Sequence, residues 1–196
     1  MDPALVGLAI GVMTCKPTRP GWMARWAYRV RQTWFALTAR PSAGDLAAAR
    51  GILGPRLWRL FQQQSRADQA HALAVWRAVR AAGGDNVVQQ AALLHDVGKS
   101  RVPLRLWHRV LAVLGRACCP RWARGPWAQG PPRGWRAAFV VAEHHAAWGA
   151  AMAQAVGAAA EVVELIAHHH DPVPDALPPR LHRAWALLRM ADEETG

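Results

Sequence analysis

The most informative stretch of the chain reads AALLHDVGK and covers residues 91–99. An apolar, helix-forming run leads into His95 and Asp96, neighbours that point about 100° apart on a helix. Both can therefore reach one ion only near the end of that helix. Gly98 predicts this end, because glycine favours helix termini and its missing side chain lets an anion approach the backbone. Lys99 then adds a flexible point charge suited to phosphate.

The composition of the whole chain is that of a helical protein. Of its 196 residues, 52% are hydrophobic, which is enough for one domain with a buried core. Ala, Leu, Arg and Gln dominate, and all four are good helix formers, whereas strand-like stretches are almost absent. We therefore predict an all-α, single-domain helical bundle.

The charge balance is strongly basic, with a formal net charge of +11. Such a balance points to anionic partners such as nucleotides, nucleic acid or acidic lipid. All 24 basic residues except Lys16 and Lys99 are arginine, however, a bias typical of a GC-rich genome. The charge therefore says little about which anion is bound, whereas a lysine directly after the His95–Asp96 pair is informative.

Cysteine usage and the apolar start of the chain predict the compartment. Cys15, Cys118 and Cys119 form neither a disulfide framework nor a CxxC pair, which indicates a reducing environment. The apolar stretch 4–14 has only about 11 residues, against the roughly 20 that span a bilayer. No basic segment precedes it, as a secretory signal would require. We predict a cytoplasmic protein.

Residues 1–42 form a basic, Trp-rich lead-in before the main domain, which we place at 43–196. Within the lead-in, Trp26, Val30, Trp34 and Leu37 recur at helical spacing with arginines beside them. One interpretation is a helix lying on an anionic membrane surface. The other, which we favour, is an amphipathic helix whose aromatic stripe packs on the domain. Periodicity alone does not separate the two.

The main domain is predicted to be helical nearly throughout. Ser65 is the expected N-cap of a helix that reaches about residue 82. The remaining helices are expected at 45–50, 55–63, 87–97, 104–114, 137–156, 160–169 and 179–194. The segment 100–136 is an insertion, and its loop-like part, 119–134, carries several prolines, glycines and tryptophans. That part is a candidate lid or partner surface, or a loop held down by its own tryptophans.

Four residues complete a recognisable pattern: His71, the pair His95 and Asp96, and the late Asp192. Over about residues 65–194, the sequence resembles the HD superfamily of metal-dependent phosphohydrolases, in which a His, a distant His-Asp pair and a distant Asp recur. The resemblance implies an HD-type helical domain. It also implies that these four residues hold a first metal ion.

Two further segments resemble the members of that family that hold two metals. EHHAAWGA at 143–150 is similar to their HxxxG helix, and VELIAHHHD at 163–171 is similar to their IxxHHE segment. Aligned on Ile166, the resemblance implies a second metal at His145, His169 and His170, with Asp96 bridging the two ions. Adjacent histidines leave open which of 168–170 are ligands. The Gly-Tyr-Pro motif of the cyclic-dinucleotide branch is missing, so that branch's substrate is not inferred.

Imidazole and carboxylate donors suit Mn, Fe, Co, Ni or Zn, with Mg as a further option, and one or two ions are expected. The resemblance implies hydrolysis of a phosphate mono- or diester, for example a nucleotide, by a metal-activated water. Asp96 and Lys99 would be catalytic, and Lys99 and Arg101 would bind the substrate. Alternatives are a di-iron oxygenase on the same fold and a non-catalytic module that senses nucleotides or associates with membranes. Nucleic acid remains open as a partner, as does peripheral membrane contact through the lead-in.

Overall fold

The computed structural model describes residues 41–171 and 177–195, and every regular element within those ranges is helical. The α-helices are α1 (Ala43–Phe61), α2 (Arg66–Ala81), α3 (Asn86–Leu94), α4 (Leu106–Cys118), α5 (Pro120–Ala123), α6 (Ala137–Ala155), α7 (Ala160–His168) and α8 (His182–Thr195). Short 3₁₀ turns occupy Val97–Arg101, Pro126–Ala128, Gly134–Arg136 and Pro179–Leu181. The all-α prediction is confirmed. The helix predicted in the lead-in lies outside the described residues.

Three helices begin with side-chain caps, and one of these caps is the predicted Ser65. Ser42, Ser65 and Asp85 each accept a hydrogen bond from the backbone N–H three residues later, at 3.1, 3.2 and 3.0 Å. Each bond satisfies one of the four N–H groups that a helix start leaves without a partner. The N-cap predicted at Ser65 is therefore confirmed, and α2 ends within one residue of its predicted end.

Of the two breaks predicted in the first helix, the structure contains only the one at Gly54-Pro55. Two short helices were expected, separated at Gly51 and at Gly54-Pro55. Gly51 instead lies within α1, and only Gly54 leaves helical geometry, with φ 65° and ψ 178°. This left-handed φ is open to glycine at little cost, and Pro55 lacks the N–H that a continuous helix would use. The result is one kinked element.

The helix predicted at 87–97 is too long by three residues. α3 ends at Leu94, Asp96 has φ −98° and ψ 3°, and the chain continues as the 3₁₀ turn Val97–Arg101. The insertion also differs from the prediction. Its helix is shifted to Leu106–Cys118, and the loop expected at 119–134 contains α5 and a 3₁₀ turn. Pro120 and Pro126 stand at the first position of these two elements, where proline favours the start of a helix, so the prolines of this segment do not prevent helix formation.

The main core is built around α3, which packs against α1, α2, α7 and α8. Its largest fully buried side chains include Trp76, Phe61, Leu94, Ile166 and Leu188. A second, smaller cluster joins the insertion to the start of α6 through Phe139, Ala123 and Ala128. His95 and Asp96 follow directly on α3, so the main core fixes their position.

A bidentate ion pair connects the insertion to the main domain. Arg109 on α4 donates from Nη1 and Nη2 to the two carboxylate oxygens of Asp68 on α2, at 2.8 and 2.7 Å. Asp68 is 5% exposed. Burial raises the pKa of its carboxyl, but the hydrogen bonds and charge of Arg109 outweigh that effect and lower the pKa below its ordinary value.

We expect Arg109→Met to lower the free energy of unfolding by about 2–3 kcal/mol at pH 7, because it leaves a buried carboxylate without its counter-ion. The folded-state pKa of Asp68 is depressed, so the pair stabilises fully above the unfolded pKa near ~3.9 and less as pH falls. Urea unfolding of both proteins from pH 7 to pH 3 should therefore show the difference shrinking at low pH.

Arg77→Met is the matched control, because it removes the exposed Arg77–Asp45 pair, whose atoms lie 3.4 Å apart. We expect that variant to lose less than about 1 kcal/mol. Equal losses in the two variants would show that the Arg109 pair contributes no more than a surface contact.

Candidate metal centre

Side chains from distant parts of the chain meet in two groups next to the end of α3. The first donor group is His71 on α2, His95 after α3, and Asp192 on α8. The second donor group is Asp96, His145 on α6, and His169 and His170 after α7. Within each group, one ligand atom per residue lies within 4.8 Å of all the others.

Asp192 holds the first donor group together. Its Oδ1 lies 2.9 Å from His71 Nε2 and 3.5 Å from His95 Nε2. The imidazole rings of His71 and His95 meet edge to face, with centroids 5.3 Å apart. Two imidazole nitrogens therefore converge on one carboxylate oxygen.

Asp96 lies between the two groups and faces both. Its Oδ2 is 3.5 Å from His95 Nε2 and 3.9 Å from His71 Nε2. Its Oδ1 is 3.2 Å from His145 Nε2. The four residues expected at the first metal are thus brought together, and Asp96 lies between the two donor groups.

Three buried histidines are fixed in one tautomer by the backbone. Nδ1 of His95, His145 and His169 lies 2.9, 3.0 and 2.7 Å from a carbonyl oxygen about one helical turn earlier. A carbonyl only accepts hydrogen bonds, so each Nδ1 must donate, and the lone pair of each neutral ring lies on Nε2. Metal-binding histidines are commonly oriented in this way. The carbonyls belong to Ala92, Val141 and Ile166.

Several inward-facing atoms have no hydrogen-bond partner. Nε2 of His95, Nε2 of His169 and Oδ1 of Asp96 are all buried and unsatisfied; the 3.2 Å approach of His145 to Asp96 does not have hydrogen-bond geometry. Buried polar atoms without partners are costly and rare in folded proteins. Nitrogen and carboxylate donors converging without partners are what a divalent transition metal requires, so the residues fit such an ion.

The pKa values of most donors favour ligand protonation states. Burial raises the pKa of Asp96, but Lys99 and His95 hold it well below its usual range. Burial also raises the pKa of Asp192, but hydrogen bonding to His71 and His95 outweighs that effect and lowers the pKa below its ordinary value. Burial lowers the pKa of His169 well below its ordinary value and, with His145 nearby, lowers that of His170 to about 4. These carboxylates are ionised and these imidazoles neutral near pH 7.

His95 is the exception. Burial lowers its pKa, but Asp96 and Asp192 outweigh that effect and raise the pKa to about 9. In the metal-free protein His95 is therefore protonated on both ring nitrogens, and Nε2 must release its proton before it can coordinate an ion.

Lys99 and Arg101, the residues expected to bind substrate, lie in different surroundings. Lys99 Nζ contacts Asp96 Oδ2, and its side chain is 28% exposed, so it stands at the edge of the site. Arg101 is exposed, and its guanidinium lies over the ring of Trp148 at 5.2 Å. The latter contact ties the 3₁₀ turn to α6.

Gly98 has a different role from the one expected. It neither ends α3 nor opens the backbone to an anion, because the backbone of α6 occupies that space. A Cβ at this position would lie 1.9 Å from the carbonyl oxygen of His145 and 2.7 Å from the amide nitrogen of Gly149. Glycine is required here for helix packing, and the close approach brings His145 next to Asp96.

The structure separates the adjacent histidines by environment. His144 is exposed and stacks on Trp148, with its Nε2 3.2 Å from the carbonyl oxygen of Ala128. His168 turns away from the second donor group and contacts Asp171 at 2.6 Å. His145, His169 and His170 are the members that face Asp96.

Sequence reasoning missed the ion pair that anchors the insertion one turn before His71. No sequence pattern paired Asp68 with Arg109. The sequence contains no local signal for this pair, because its two members are far apart along the chain and meet only after α4 has folded over α2.

The fold and the two donor groups define a class: an all-helical domain with a histidine and aspartate centre of the kind that binds divalent metals. The family model described as HD domain matches residues 69–194, more than half of the chain, and the protein belongs to the HD-domain family. HD domains are generally metal-dependent phosphohydrolases acting on phosphorylated substrates. Comparison with curated proteins and with solved structures gave no match.

We expect Gly98→Ala to lower the free energy of unfolding by about 2 kcal/mol, since an added methyl would force the 3₁₀ turn and α6 apart. Metal affinity, measured by titration calorimetry, should fall as well, because the same shift separates Asp96 from His145.

Gly44→Ala is the control, since a Cβ there meets nothing within 4 Å. Alanine in that helix should leave stability unchanged or raise it slightly. An unaltered metal affinity in Gly98→Ala would contradict the link between the close approach and the site.

Proposed function

We propose that this protein hydrolyses a phosphate mono- or diester, such as a nucleotide, at a centre of two divalent ions. His71, His95 and Asp192 would hold the first ion, and His145, His169 and His170 the second, with Asp96 shared between them. The observation that carries the proposal is the set of three buried histidines, each with Nδ1 committed to a backbone carbonyl and Nε2 aimed toward the carboxylates. Two of these Nε2 atoms, those of His95 and His169, have no hydrogen-bond partner among the described residues, which supports a ligand role.

Such ions, when bound, would lower the pKa of a coordinated water and polarise a phosphoryl oxygen. The nitrogen and oxygen donors suit Mn, Fe, Co, Ni or Zn, and Mg less well. None of the proposed ligands is a cysteine, so the site has no preference for the softest metals.

Exposure within the site indicates the side from which substrate enters. His95, Asp96, His145 and His169 are each at most 2% exposed and form the closed inner wall. His170 is exposed, and the side chains of Asp192 and Lys99 are 21% and 28% exposed. A phosphoester would therefore approach from the side of Lys99 and His170.

The chain's own residues then have separate tasks. Asp96 is ionised and accepts hydrogen bonds only, so it can orient an attacking water by accepting its hydrogen. Lys99 stands at the entrance and would offset negative charge developing on the phosphoryl oxygens. Arg101, two residues further along the same turn, would add positive charge for the substrate.

Replacing one histidine of the second donor group tests the proposal. In His145→Gln we expect the metal content of protein purified without chelator to fall from two ions to one. Hydrolysis across a phosphoester panel with Mn or Co should drop by about 100-fold or more, since even residues behind the ligands contribute ~10–100-fold.

His144→Gln is the matched control, because the neighbouring ring is exposed and lies outside both donor groups. It should keep both ions and full activity. Two ions and unchanged hydrolysis in His145→Gln would rule out the proposed centre.

Lys99→Met separates substrate binding from metal binding. The charge near the phosphoryl group is lost while all proposed ligands remain, so kcat/KM should fall by about 10²–10³-fold with metal content unchanged. Elemental analysis and steady-state kinetics on the same preparation check both parts. A variant that loses its metal would show instead that Lys99 organises the donors.

A di-iron oxygenase is the second candidate, because the shared carboxylate between two donor groups also suits a pair of redox-active irons. Iron content and oxygen consumption under reducing conditions distinguish the two. Phosphoester hydrolysis under anaerobic conditions with a redox-silent metal would exclude it. Protein that binds nucleotides and fails both assays would support the non-catalytic module.

A further inference from the structure

Helix α4 exposes most of its large apolar side chains to solvent and buries a histidine and a glycine. Its inner side carries His108, which is buried with Nε2 3.2 Å from the carbonyl oxygen of Gly134, and Gly115, which packs against Phe139. Its outer side carries large apolar residues that are 41–53% exposed. These are Leu106, Trp107, Val110, Val113 and Leu114.

Two further tryptophans of the insertion are also exposed. Trp122 and Trp135, also in the insertion, are 57% and 46% exposed. Among the described residues, the one other large apolar side chain with comparable exposure is Met190 on α8. We call the five residues on the outer side of α4, Leu106, Trp107, Val110, Val113 and Leu114, the apolar platform. Such concentration in one segment marks an interaction surface rather than ordinary scattered exposure.

The charge around the platform has a single sign. Between Asp96 and Glu143 the sequence contains no acidic residue. Arg109 pairs with Asp68 and Arg116 with the carbonyl oxygen of Ala142, while Arg101 and Arg136 lie over the rings of Trp148 and Trp135. The exposed basic residues are Arg101, Arg105, Arg121, Arg124, Arg133 and Arg136.

We propose that the apolar platform docks the protein on the surface of an anionic lipid bilayer, with α4 lying in the plane of the interface. Exposed leucine, valine and tryptophan would enter the boundary between headgroups and acyl chains, while the surrounding arginines contact anionic headgroups. The contact is peripheral, since no helix in the described part of the chain is long and apolar enough to cross a membrane.

Charge favours lipid over the other occupants available to this surface. A second copy of the chain carries the same net charge of +11, so a symmetric contact would bring arginines against arginines. The stretch 22–40 of the lead-in is also basic and free of acidic residues. An anionic surface complements the platform, whereas both alternatives repel it.

The test is flotation of the full-length protein with vesicles of phosphatidylcholine alone and of phosphatidylcholine mixed with phosphatidylglycerol. We expect binding to the anionic vesicles that weakens with salt. The variant Leu106→Gln/Val110→Gln/Leu114→Gln should bind at least about tenfold more weakly, since it removes three apolar side chains from the interface. Its far-UV circular dichroism should be unchanged, because all three point outward. Met190→Gln is the apolar control and should bind as the parent does.

Charge reversal completes the design. Arg121→Glu/Arg124→Glu should also reduce binding at least about tenfold. Arg50→Glu/Arg59→Glu changes the net charge equally on exposed positions of α1 and should have a much smaller effect. Equal effects of the two pairs would show attraction by net charge alone and overturn the proposal. Undiminished binding of the triple glutamine variant would also overturn the proposal, and is the result expected if residues 1–42 bind the lipid instead. Failure of the parent protein to bind anionic vesicles would overturn it as well. Vesicle binding by metal-free protein is measured independently of hydrolysis, so each proposal stands or fails separately.

Discussion

The buried carboxylate of Asp96 is the constraint around which the rest of the structure is arranged. An ionised group that is 2% exposed requires compensating partners, or it would be protonated instead. Here those partners come from every side: His95 on the same turn, His145 from α6, and the ammonium of Lys99. The segment 95–99 and α6 must therefore meet within a few ångströms, and α3 brings Asp96 to that point by anchoring it in the core.

A second constraint acts through the backbone. Gly98 lets the 3₁₀ turn approach α6 so closely that no side chain fits between them, and Gly149 provides the matching space on α6. The segments 95–99 and 145–149, which contain Gly98 and Gly149, therefore form the two sides of one contact. Their glycines set the separation of Asp96 and His145, which no hydrogen bond fixes.

The sequence was sufficient for the helical class and for bringing His71, His95, Asp96 and Asp192 into one hypothesis. It named His145 rather than His144 only through the family resemblance, because neighbours on a helix differ only in direction; in the structure His145 is buried and His144 is exposed. It also placed a helix near α4 without revealing which side faces inward. Hydrophobic periodicity assigns the Leu and Val side to the core, yet here His108 and Gly115 are buried. Packing against Phe139 and a hydrogen bond to the insertion's own backbone outweigh that rule.

The unsatisfied atoms at the centre are flanked by residues of the main core. Nε2 of His95 and of His169 lose hydration on folding and gain no protein partner, which costs stability. Leu94 directly precedes His95, and Ile166 lies about one helical turn before His169. Both side chains are completely buried in the main core. Burial of apolar side chains next to the site therefore offsets the free energy lost when the two Nε2 atoms are dehydrated, and it holds the imidazole rings in place. Because these atoms face one another only in the folded protein, a ligand that satisfies them would bind the folded state, and its binding energy would add to the stability of the fold.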